Sequence, residues 1–370
     1  MRHVGGAELQ RNVLVDVNNL LYRAYFALVK PEIDEEKRVA ELPPELRYPF
    51  KRSSIVRLPA VDAKSCAAGE LLDMDVGLVK ASLKILSSWL YDIQRPTKII
   101  AFFDGFPARR KALFPEYKER DKDDVKAVVH YEHSENSELA VSLRDGTVVH
   151  GPVSVLCHVL RLLGCDVYYH PQEEADDLIA TFCRRSAGAV NVIVSSDKDF
   201  FQLVDDRTVI YRPGPNTPRL HDAERVADHM EKLCKVRIGP GQVRMFKALT
   251  GDPSDGILGV YGLRKKVAAP LCSHSSVDEV YASGLPGFSK GEREKALLAR
   301  DQIEHNSRLV GFYDDLDLGA CLQPEIGDFA LASKMLREDL SFTDADLLPF
   351  RVGRHAMKAI STIPDWLSDV

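Results

Sequence analysis

The chain has 370 residues, enough for one large domain or two smaller ones with an ample core. Its 49 Lys and Arg residues against 55 Asp and Glu residues leave a net charge of −6, so no overall basic excess indicates nucleic acid, although acids can mask a local basic surface. The seven cysteines show no Cys-x-x-Cys spacing, which excludes a zinc ribbon and favours reduced cysteines in an intracellular protein. No apolar run approaches the ~20 residues that cross a bilayer, so we expect a soluble protein without a membrane partner.

Two buried strands in the first third of the chain carry acids at their ends. The expected buried strand Val13–Val17 has Asp16 near its carboxyl end, and a helix is expected to begin directly behind it. The apolar run 98–104 has the same design and ends at Asp104, after helical spacing over 71–91. Two strands of one design, separated by a helix, favour parallel β/α units.

Two long stretches interrupt this pattern. Residues 31–70 are rich in proline and charge and show no sustained period, so we expect a long, mobile excursion. Residues 107–150 are polar and mixed in charge, and they include Arg109, Arg110 and Lys118. Both stretches are therefore expected to leave the β/α core.

The second half of the chain resumes the alternation of helices and strands. Further strands are expected at 165–169, 190–194 and 208–211, and helices at 153–163, 242–250 and 297–309. A stretch with several glycines follows at 251–263, and residues 324–370 form a weakly patterned tail. This order predicts an α/β protein with a parallel sheet and no internal repeat.

The chain is organised around the stretch 171–203, where two groups of acids adjoin apolar elements. The first group is Glu174, Asp176 and Asp177 at the start of a helix, and the second is Asp197 and Asp199 after a strand. A helix start favours carboxylates, and ligands bind at the carboxyl ends of strands in open α/β sheets. Carboxylates gathered this way repel one another unless a cation lies between them, and oxygen ligands suit Mg²⁺ or Mn²⁺. The stretch therefore predicts a metal site.

Acids at element boundaries recur along the whole chain, where a fold can hold a carboxylate rigidly. They are Asp16, Asp104, Glu174, Asp176, Asp177, Asp197, Asp199, Asp252 and Asp255. Taken singly, an acid at a strand end is more often a cap or a turn former. One cluster with two Mg²⁺ ions roughly 4 Å apart explains all of them together, and such a pair stabilises both the attacking and the leaving oxygen of a phosphodiester. The reaction expected from the residues is phosphodiester hydrolysis.

Several motifs occur together in one order along the chain. They are Leu14-Val15-Asp16 followed by Tyr22-Arg23-Ala24-Tyr25, Phe102-Phe103-Asp104, Phe114-Pro115-Glu116-Tyr117-Lys118, Glu174-Ala175-Asp176-Asp177, Ser196-Asp197-Lys198-Asp199 and Gly251-Asp252-Pro253-Ser254-Asp255. In this order they resemble the bacterial and phage 5′-3′ exonucleases, a family that includes the N-terminal nuclease domain of DNA polymerase I and the related flap endonucleases. The resemblance spans residues 12–315.

The resemblance implies a fold. It implies an α/β, PIN-like parallel-sheet nuclease core with a helical arch, followed by a helical helix-three-turn-helix DNA-binding region. We therefore expect the core at 12–235, with an insertion at 31–70 and the arch region at 107–150. The DNA-binding region is expected at 236–320 and a C-terminal tail at 321–370.

The resemblance also implies how the acids share two ions. One ion would be held mainly by Asp16, Asp104, Glu174 and Asp176, and the other mainly by Asp197, Asp199 and Asp255, with Asp177 and Asp252 close by. The implied ions are two Mg²⁺, for which Mn²⁺ can substitute. Which acids bind directly and which bind through water stays open at this point.

Basic and aromatic residues have implied roles in holding the substrate. Lys118 resembles the arch lysine that meets the scissile phosphate, and Arg109 or Arg110 could assist it, because cations stabilise charge that develops on a phosphate. A solvated basic helix face is the alternative for these residues. Tyr22 and Arg23 match positions where an aromatic face holds an unpaired base and a guanidinium holds a phosphate. A core tyrosine and a surface arginine are the alternative.

A hairpin over 259–263 resembles one whose backbone N–H groups grip duplex phosphates without reading the sequence. Gly259 and Gly262 are its glycines, and a short glycine pair alone is weak evidence because such turns are common. Lys265 and Lys266 on the next helix could add phosphate contacts. The family's monovalent-ion site at this hairpin could hold K⁺.

The chain departs from the family pattern at three residues and in the length of two segments, and none of these departures is at one of the acids. Val17 and Arg264 stand where the family has glycines, and Pro270 falls inside the helix expected after the hairpin. The segments 31–70 and 121–150 are longer than usual. These departures concern substrate geometry more than catalysis.

Residues and resemblance together predict a structure-specific, two-metal 5′-3′ exonuclease or flap endonuclease. It would act as a monomer on DNA with a 5′ flap, a nick or a free 5′ end, and it would leave a 5′-phosphate and a 3′-hydroxyl. The preference for exonuclease or endonuclease action, for DNA or RNA flaps, and the compartment stay open. Two alternatives are a DNA-junction scaffold that lost turnover and an Mg²⁺-dependent hydrolase of small phosphates. A flap duplex that is bound but not cleaved in Mg²⁺ or Mn²⁺ would favour the scaffold. Replacing Gly262 should weaken duplex binding by a nuclease and leave a small-molecule phosphatase untouched.

Overall fold

The structure is a computed structural model, and it describes most of the chain. The described residues are 10–24, 27, 57–60, 72–75, 77–94, 96–118, 152–186, 188–214, 219–263, 276–285, 287–338 and 340–352. Most of the expected insertion, the segment 121–150 and the residues 264–275 lie outside this set. The expectations for Lys265, Lys266, Arg264, Pro270 and the helical arch therefore lie outside the described residues.

Ten strands lie in the described part of the chain. They are β1 Arg11–Asp16, β2 Arg57–Ala60, β3 Leu72–Asp75, β4 Lys98–Phe103, β5 Asp166–Tyr169, β6 Val190–Val194, β7 Thr208–Tyr211, β8 Leu220–His221, β9 Gly251–Asp252 and β10 Ile257–Leu258. Six of them form one sheet in the order β5-β4-β1-β6-β7-β8. The pairs β4–β5 and β6–β7 are parallel, and β8 is antiparallel to β7. The pairs β2–β3 and β9–β10 form separate antiparallel ribbons.

Twelve helices lie in the described part, besides a helical stretch over 17–24. They are α1 Gly77–Ile93, α2 Ala108–Leu113, α3 Pro152–Leu162, α4 Ala175–Arg185, α5 Ala223–Cys234, α6 Pro240–Thr250, α7 Val277–Ala282, α8 Lys290–Leu298, α9 Arg300–Val310, α10 Leu318–Cys321, α11 Phe329–Glu338 and α12 Asp344–Leu347. Short 3₁₀ turns occupy Asp199–Leu203, Pro253–Asp255 and Leu348–Phe350. None of the described helices combines the length and the apolar character that crossing a membrane requires.

Local sequence explains several helix ends. The side chain of Asp222 accepts a hydrogen bond from the N–H of Arg225 at 3.0 Å and caps α5. Ser289 and Glu292 form a capping box at the start of α8, and α6 begins at Pro240, whose missing N–H costs nothing there. These caps confirm that short polar residues mark element boundaries in this chain.

The chain divides into two compact units. The first comprises 1–14, 104–124 and 172–320, and the second comprises 15–103, 125–171 and 321–370. Within the first unit the core includes the fully buried Phe200 and Phe201, and within the second it includes Phe102 and Phe350. Each unit thus draws on three stretches of sequence, and the domain boundaries expected from the sequence stay a prediction.

The last part of the chain is more regular than its sequence pattern indicates. The helices α11 and α12 belong to the second unit, and Leu336 and Leu347 are buried. The ammonium of Lys84 on α1 lies 2.5 Å from a carboxylate oxygen of Asp346, and the hydroxyl of Ser87 donates to the Asp346 carbonyl at 2.7 Å. Residues 321–352 are therefore folded rather than a plain tail.

The predicted fold class is confirmed at the level of an α/β protein with a mostly parallel sheet. The apolar runs that predicted strands form β1, β4, β5, β6 and β7, because strands buried on both faces read as continuous hydrophobic runs. Two expected helices differ in extent. The helix at 71–91 begins only at Gly77, after β3, and the helical pattern at 297–309 belongs to α8 and α9, which meet at Ala299.

Candidate metal centre and active site

Three acids of the first unit lie close enough together to hold one cation. Asp199 begins the 3₁₀ turn behind β6, Asp252 ends β9, and Asp255 lies in the 3₁₀ turn that follows it. One carboxylate oxygen from each lies within 4.8 Å of the others. Three carboxylate oxygens at this separation are the donor set that Mg²⁺ or Mn²⁺ prefers, so the residues fit the implied ion.

The tight ribbon of β9 and β10 positions two of these acids. Gly251 has a φ of 78°, and a Cβ there would lie 2.3 Å from the backbone nitrogen of Gly259. Only glycine permits this approach, which places Asp252 at the turn. One oxygen of Asp252 accepts the N–H of Ser254 at 3.0 Å, so the carboxylate is held in place before any ion binds.

A lysine reaches the same group of acids. The ammonium of Lys247 on α6 pairs with Asp199 and lies 2.6 Å from the second oxygen of Asp252. Burial works to raise the pKa of Asp252, but Lys247 and Ser254 lower it below its ordinary value. Burial raises the pKa of Asp255; Lys118 opposes this rise, and Asp252 adds to it. The charge of the group is therefore only partly balanced by the protein.

A second cluster forms at the start of α4, around a buried arginine. Arg110 on α2 is 4% exposed, and its guanidinium lies 2.5 Å from Glu174 and 2.6 and 2.8 Å from the two oxygens of Asp177. It also donates to the carbonyls of Leu309 and Gly311 at 3.0 and 2.8 Å. Arg110 thus connects Glu174 and Asp177 to the C-terminal end of α9 and to Gly311, and all of these hydrogen bonds are buried.

The pKa values of Glu174 and Asp177 shift in opposite directions. Burial works to raise the pKa of Glu174, but Lys118 and Arg110 lower it overall. Burial raises the pKa of Asp177 despite the guanidinium of Arg110. Both oxygens of Asp177 are engaged by Arg110, and the backbone N–H of Tyr313 adds a third hydrogen bond at 2.9 Å. Asp177 therefore serves this buried network in the structure.

Lys118 touches both acid groups. Its ammonium lies 2.7 Å from Glu174, and its backbone N–H donates to the carbonyl of Asp255 at 3.5 Å. Burial works to lower the pKa of Lys118, but Glu174 raises it well above the ordinary value, so the side chain carries a positive charge. Its φ is 54°, a strained conformation for a residue with a side chain. Because the side chain is 38% exposed, the charge also faces solvent.

Arg109 has a different environment from its neighbour in the sequence. Its guanidinium lies 2.9 Å from Glu173 and 3.2 Å from Asp315, and it stacks over the ring of Tyr313 at 5.0 Å. The side chain is 40% exposed. Arg109 is therefore accessible, whereas Arg110 is not.

Among the other predicted ligands in the first unit, Asp104 and Asp197 accept hydrogen bonds from backbone N–H groups. Asp104 accepts the N–H of Ala175 at 2.6 Å, at the start of α4. Asp197 is exposed and accepts the N–H of Asp199 at 2.9 Å, and Asp176 is half-buried on the first turn of α4. Among the described residues, Asp104, Glu174 and Asp176 do not meet the same close spacing of oxygens as the first group.

Three residues expected at the site belong to the second unit. Asp16 is buried at the end of β1 and accepts the N–H of Asn19 at 3.1 Å. Tyr22 and Arg23 are half-buried on the helical stretch 17–24. The guanidinium of Arg23 lies 5.9 Å from the ring centre of Trp89, so within its own unit it stacks on an aromatic side chain.

Glycine occupies the two hairpin positions, 259 and 262, for different structural reasons. A Cβ on Gly259 would lie 2.2 Å from the carbonyl carbon of Thr250, so this glycine is required for packing. Gly262 has a φ of 72° and lies at the exposed tip, where Tyr261 is 90% exposed. The side-chain amide of Asn306 on α9 donates to the Leu258 carbonyl at 2.8 Å, and this hydrogen bond attaches the start of the hairpin to α9.

Sequence reasoning missed four residues that shape the site. They are Glu173, Lys247, Asn306 and Tyr313, of which the first two form ion pairs and the last two set backbone positions. Lys247 sits inside an ordinary amphipathic helix pattern, and Asn306 and Tyr313 lie over fifty residues beyond Asp255, the last acid of the three-acid group. No local signal marks any of them except the position of Glu173 beside Glu174.

Comparison with known proteins connects this geometry to one group. Residues 70–231 match the family model described as the 5′-3′ exonuclease, N-terminal resolvase-like domain. Flap endonuclease Xni of Aeromonas salmonicida is 29% identical over 275 residues, which cover 72% of this chain and 89% of that protein. The 5′-3′ exonuclease of Aquifex aeolicus is 28% identical over 169 residues, which cover 45% of this chain and 54% of that protein.

Further matches extend the likeness. DNA polymerase I of Caldicellulosiruptor bescii is 25% identical over 319 residues, which cover 84% of this chain but only 30% of the polymerase. Among solved structures, a bacteriophage T5 protein crystallised with metal ions matches 92% of this chain and 97% of its own with a TM-score of 0.50 and 16% identity, which shows a shared fold. The motifs, the α/β sheet and these relatives agree, and they support a nuclease similar to the 5′-3′ exonucleases and flap endonucleases.

Proposed function

We propose that this protein is a structure-specific, two-metal 5′-3′ exonuclease and flap endonuclease that hydrolyses DNA phosphodiesters at 5′ ends and 5′ flaps. The observation that carries the proposal is the group of Asp199, Asp252 and Asp255, to which the charged Lys118 is attached through the Asp255 carbonyl. A candidate cation site beside a positively charged, partly exposed lysine is an arrangement suited to a phosphate. The products would be a 5′-phosphate and a 3′-hydroxyl.

The acids of the site would hold two divalent cations, Mg²⁺ with Mn²⁺ as its substitute. Bound there, the ions would supply charge stabilisation to the attacking and leaving oxygens of the phosphodiester. Asp197, Asp199, Asp252 and Asp255 are proposed for one ion, and Asp16, Asp104, Glu174 and Asp176 for the other. Asp177 is proposed to support Glu174 through Arg110, because its oxygens are already engaged inside the protein.

Among the basic residues, Lys118 is proposed to contact the scissile phosphate. Its ammonium is partly exposed and positively charged, and it lies against a proposed metal ligand. Arg109 is exposed enough to assist it at the phosphate. Arg110 is a positioning residue instead, because it is buried and its charge is neutralised by Glu174 and Asp177.

The substrate is proposed to be DNA with a 5′ flap, a nick or a free 5′ end, bound by a monomer. The flap endonuclease of bacteriophage T5, whose structure with DNA and metal ions has 14% identity and a TM-score of 0.50, shows the shared fold. The hairpin glycines Gly259 and Gly262 would present backbone N–H groups to duplex phosphates, with Lys265, Lys266 and a K⁺ ion as further contacts. Tyr22 and Arg23 would hold the unpaired strand.

A cleavage assay with 5′-labelled flap, nicked and blunt duplexes tests this proposal. We expect cleavage with Mg²⁺ or Mn²⁺, none with EDTA, and a loss of at least about 100-fold in Asp255→Asn, because one oxygen of the cation site loses its charge. Flap binding by Asp255→Asn without divalent metal should persist. Binding by the wild type with no cleavage in either metal would favour a catalytically inactive DNA-junction scaffold instead.

A further inference from the structure

Lys247 occupies the space between two acids of the proposed cation site. Its ammonium pairs with Asp199 and lies 2.6 Å from Asp252, and all three side chains are largely buried, at 16%, 19% and 8% exposure. The lysine comes from the last two turns of α6, whose neighbouring residues Phe246 and Leu249 are buried and fix the helix. The fold therefore places the base of the Lys247 side chain beside the acids.

The lysine and a divalent cation would use the same oxygens. One oxygen of Asp252 accepts hydrogen bonds from Ser254, and the other faces Lys247. The oxygen of Asp199 that pairs with Lys247 belongs to a carboxylate of the three-acid group. An ammonium and a divalent ion a few ångströms apart repel each other strongly in a site that excludes most water.

We propose that Lys247 is a resident counter-cation of the metal site: it holds Asp199 and Asp252 together when no ion is bound, and it competes with the divalent ion for their oxygens. This inference rests on the metal-dependent function proposed above. It makes Lys247 a positioning residue that sets the affinity of the site for metal, and it assigns the residue no contact with substrate.

A lysine among the three acids stabilises the metal-free protein for an electrostatic reason. Three acids within 4.8 Å of one another would raise each other's pKa or move apart in the metal-free protein unless a cation stays among them. A tethered ammonium provides this cation without blocking the site permanently, because the flexible lysine stem can move aside. The same ammonium weakens the binding of the metal.

Titration of the metal-free full-length protein with Mn²⁺ alone, by calorimetry and by electron paramagnetic resonance of free Mn²⁺, tests this inference. We expect the Kd for Mn²⁺ at this site to be about tenfold lower in Lys247→Met than in the wild type, since one partly buried ion pair no longer has to be broken. The melting temperature without metal should fall in the variant, and its rise on adding Mn²⁺ should be larger than in the wild type.

Lys84→Met is the matched control, because Lys84 also forms an ion pair, with Asp346, but belongs to the second unit. It should lower the melting temperature slightly and leave the Kd for Mn²⁺ unchanged. Lys247→Gln is the second variant: it removes the charge but keeps a hydrogen-bond donor, which protects against misfolding. It should tighten Mn²⁺ binding as Lys247→Met does.

The outcomes separate this inference from the proposed function. Equal or weaker Mn²⁺ binding in both Lys247 variants, with normal binding by the wild type, would overturn the counter-cation role alone. A wild type that binds no Mn²⁺ would overturn the metal-dependent function and this inference together. Tighter binding in both variants and not in Lys84→Met would support the role.

Discussion

Arg110 shows how one buried side chain organises the acids of the site. Its guanidinium is enclosed by Glu174 and Asp177 and by the carbonyls of Leu309 and Gly311. Two carboxylates and one guanidinium leave one negative charge, which Lys118 balances at Glu174. Arg109, the preceding residue, has the same chemistry but faces solvent, so burial alone separates their roles.

Removing the Arg110 charge should destabilise the protein strongly. In Arg110→Met, Glu174 and Asp177 would stay buried without their partner, and breaking such a pair from one side costs about 3–5 kcal/mol of unfolding free energy. Arg109→Met is the matched control, since a half-exposed pair contributes less than about 1 kcal/mol. Urea unfolding of both variants measures the difference. Equal losses in the two variants would contradict the buried network.

At the scale of elements, the ribbon of β9 and β10 joins α6 to the hairpin through close backbone contact. Gly259 packs on the last residue of α6, and Asn306 of α9 donates to the carbonyls of Ala248 and Leu258 at 3.0 and 2.8 Å. The same ribbon carries Asp252, so the proposed metal ligand and the proposed DNA grip share one rigid support.

The hairpin glycines should therefore tolerate alanine unequally. A Cβ in Gly259→Ala would overlap backbone atoms of Thr250, and we expect a loss of at least about 3 kcal/mol of unfolding free energy. In Gly262→Ala the overlap is with the mobile end of Lys295, and the left-handed backbone should cost about 1 kcal/mol.

Gly241→Ala in α6 is the control for these variants, because nothing lies within 4 Å of the added Cβ. It should leave stability unchanged or raise it by up to about 1 kcal/mol, since alanine favours a helix over glycine. Denaturant unfolding of the three variants checks the order. A Gly262→Ala loss that matches or exceeds that of Gly259→Ala would refute the packing role of Gly259.

At the scale of the molecule, each compact unit holds a histidine that is neutral in the folded state. Burial and the nearby Arg161 lower the pKa of His158 to about 4 in the second unit. Burial, Arg212 and His221 lower the pKa of His229 to about 4 in the first. Lowering the pH should therefore destabilise both units.

We expect the unfolding free energy to fall as the pH decreases from about 6.5 to about 4. In this window the unfolded chain binds protons at His158 and His229 that the folded chain does not, because the folded pKa values lie below the ordinary 6.5. Urea titrations at several pH values give the slope, and the double variant His158→Gln, His229→Gln should have a smaller slope. An unchanged slope would show that these histidines titrate normally.

Much of the fold and the order of the acids could be predicted from the sequence. Strands such as β4 and β6 are runs of buried apolar residues, and this local signal fixes their position within two residues. Asp104 follows β4 directly and Asp199 comes five residues after the last residue of β6, so covalent continuity places both near the strand ends. The extent of α1 and the helices α11 and α12 were not predicted, because their boundaries depend on packing partners elsewhere in the chain.

The sequence by itself determined which chemical groups the protein carries and where along the chain they stand: the acids at the ends of strands, the glycine turn at 251–263 and the lysine in the motif at 114–118. Only the tertiary structure decided which of them meet. Arg110 is adjacent to Arg109 yet buried, and Lys247 lies 48 residues from the Asp199 that it contacts. Pairing and burial at such separations come from packing between elements, and a local pattern carries no information about that packing.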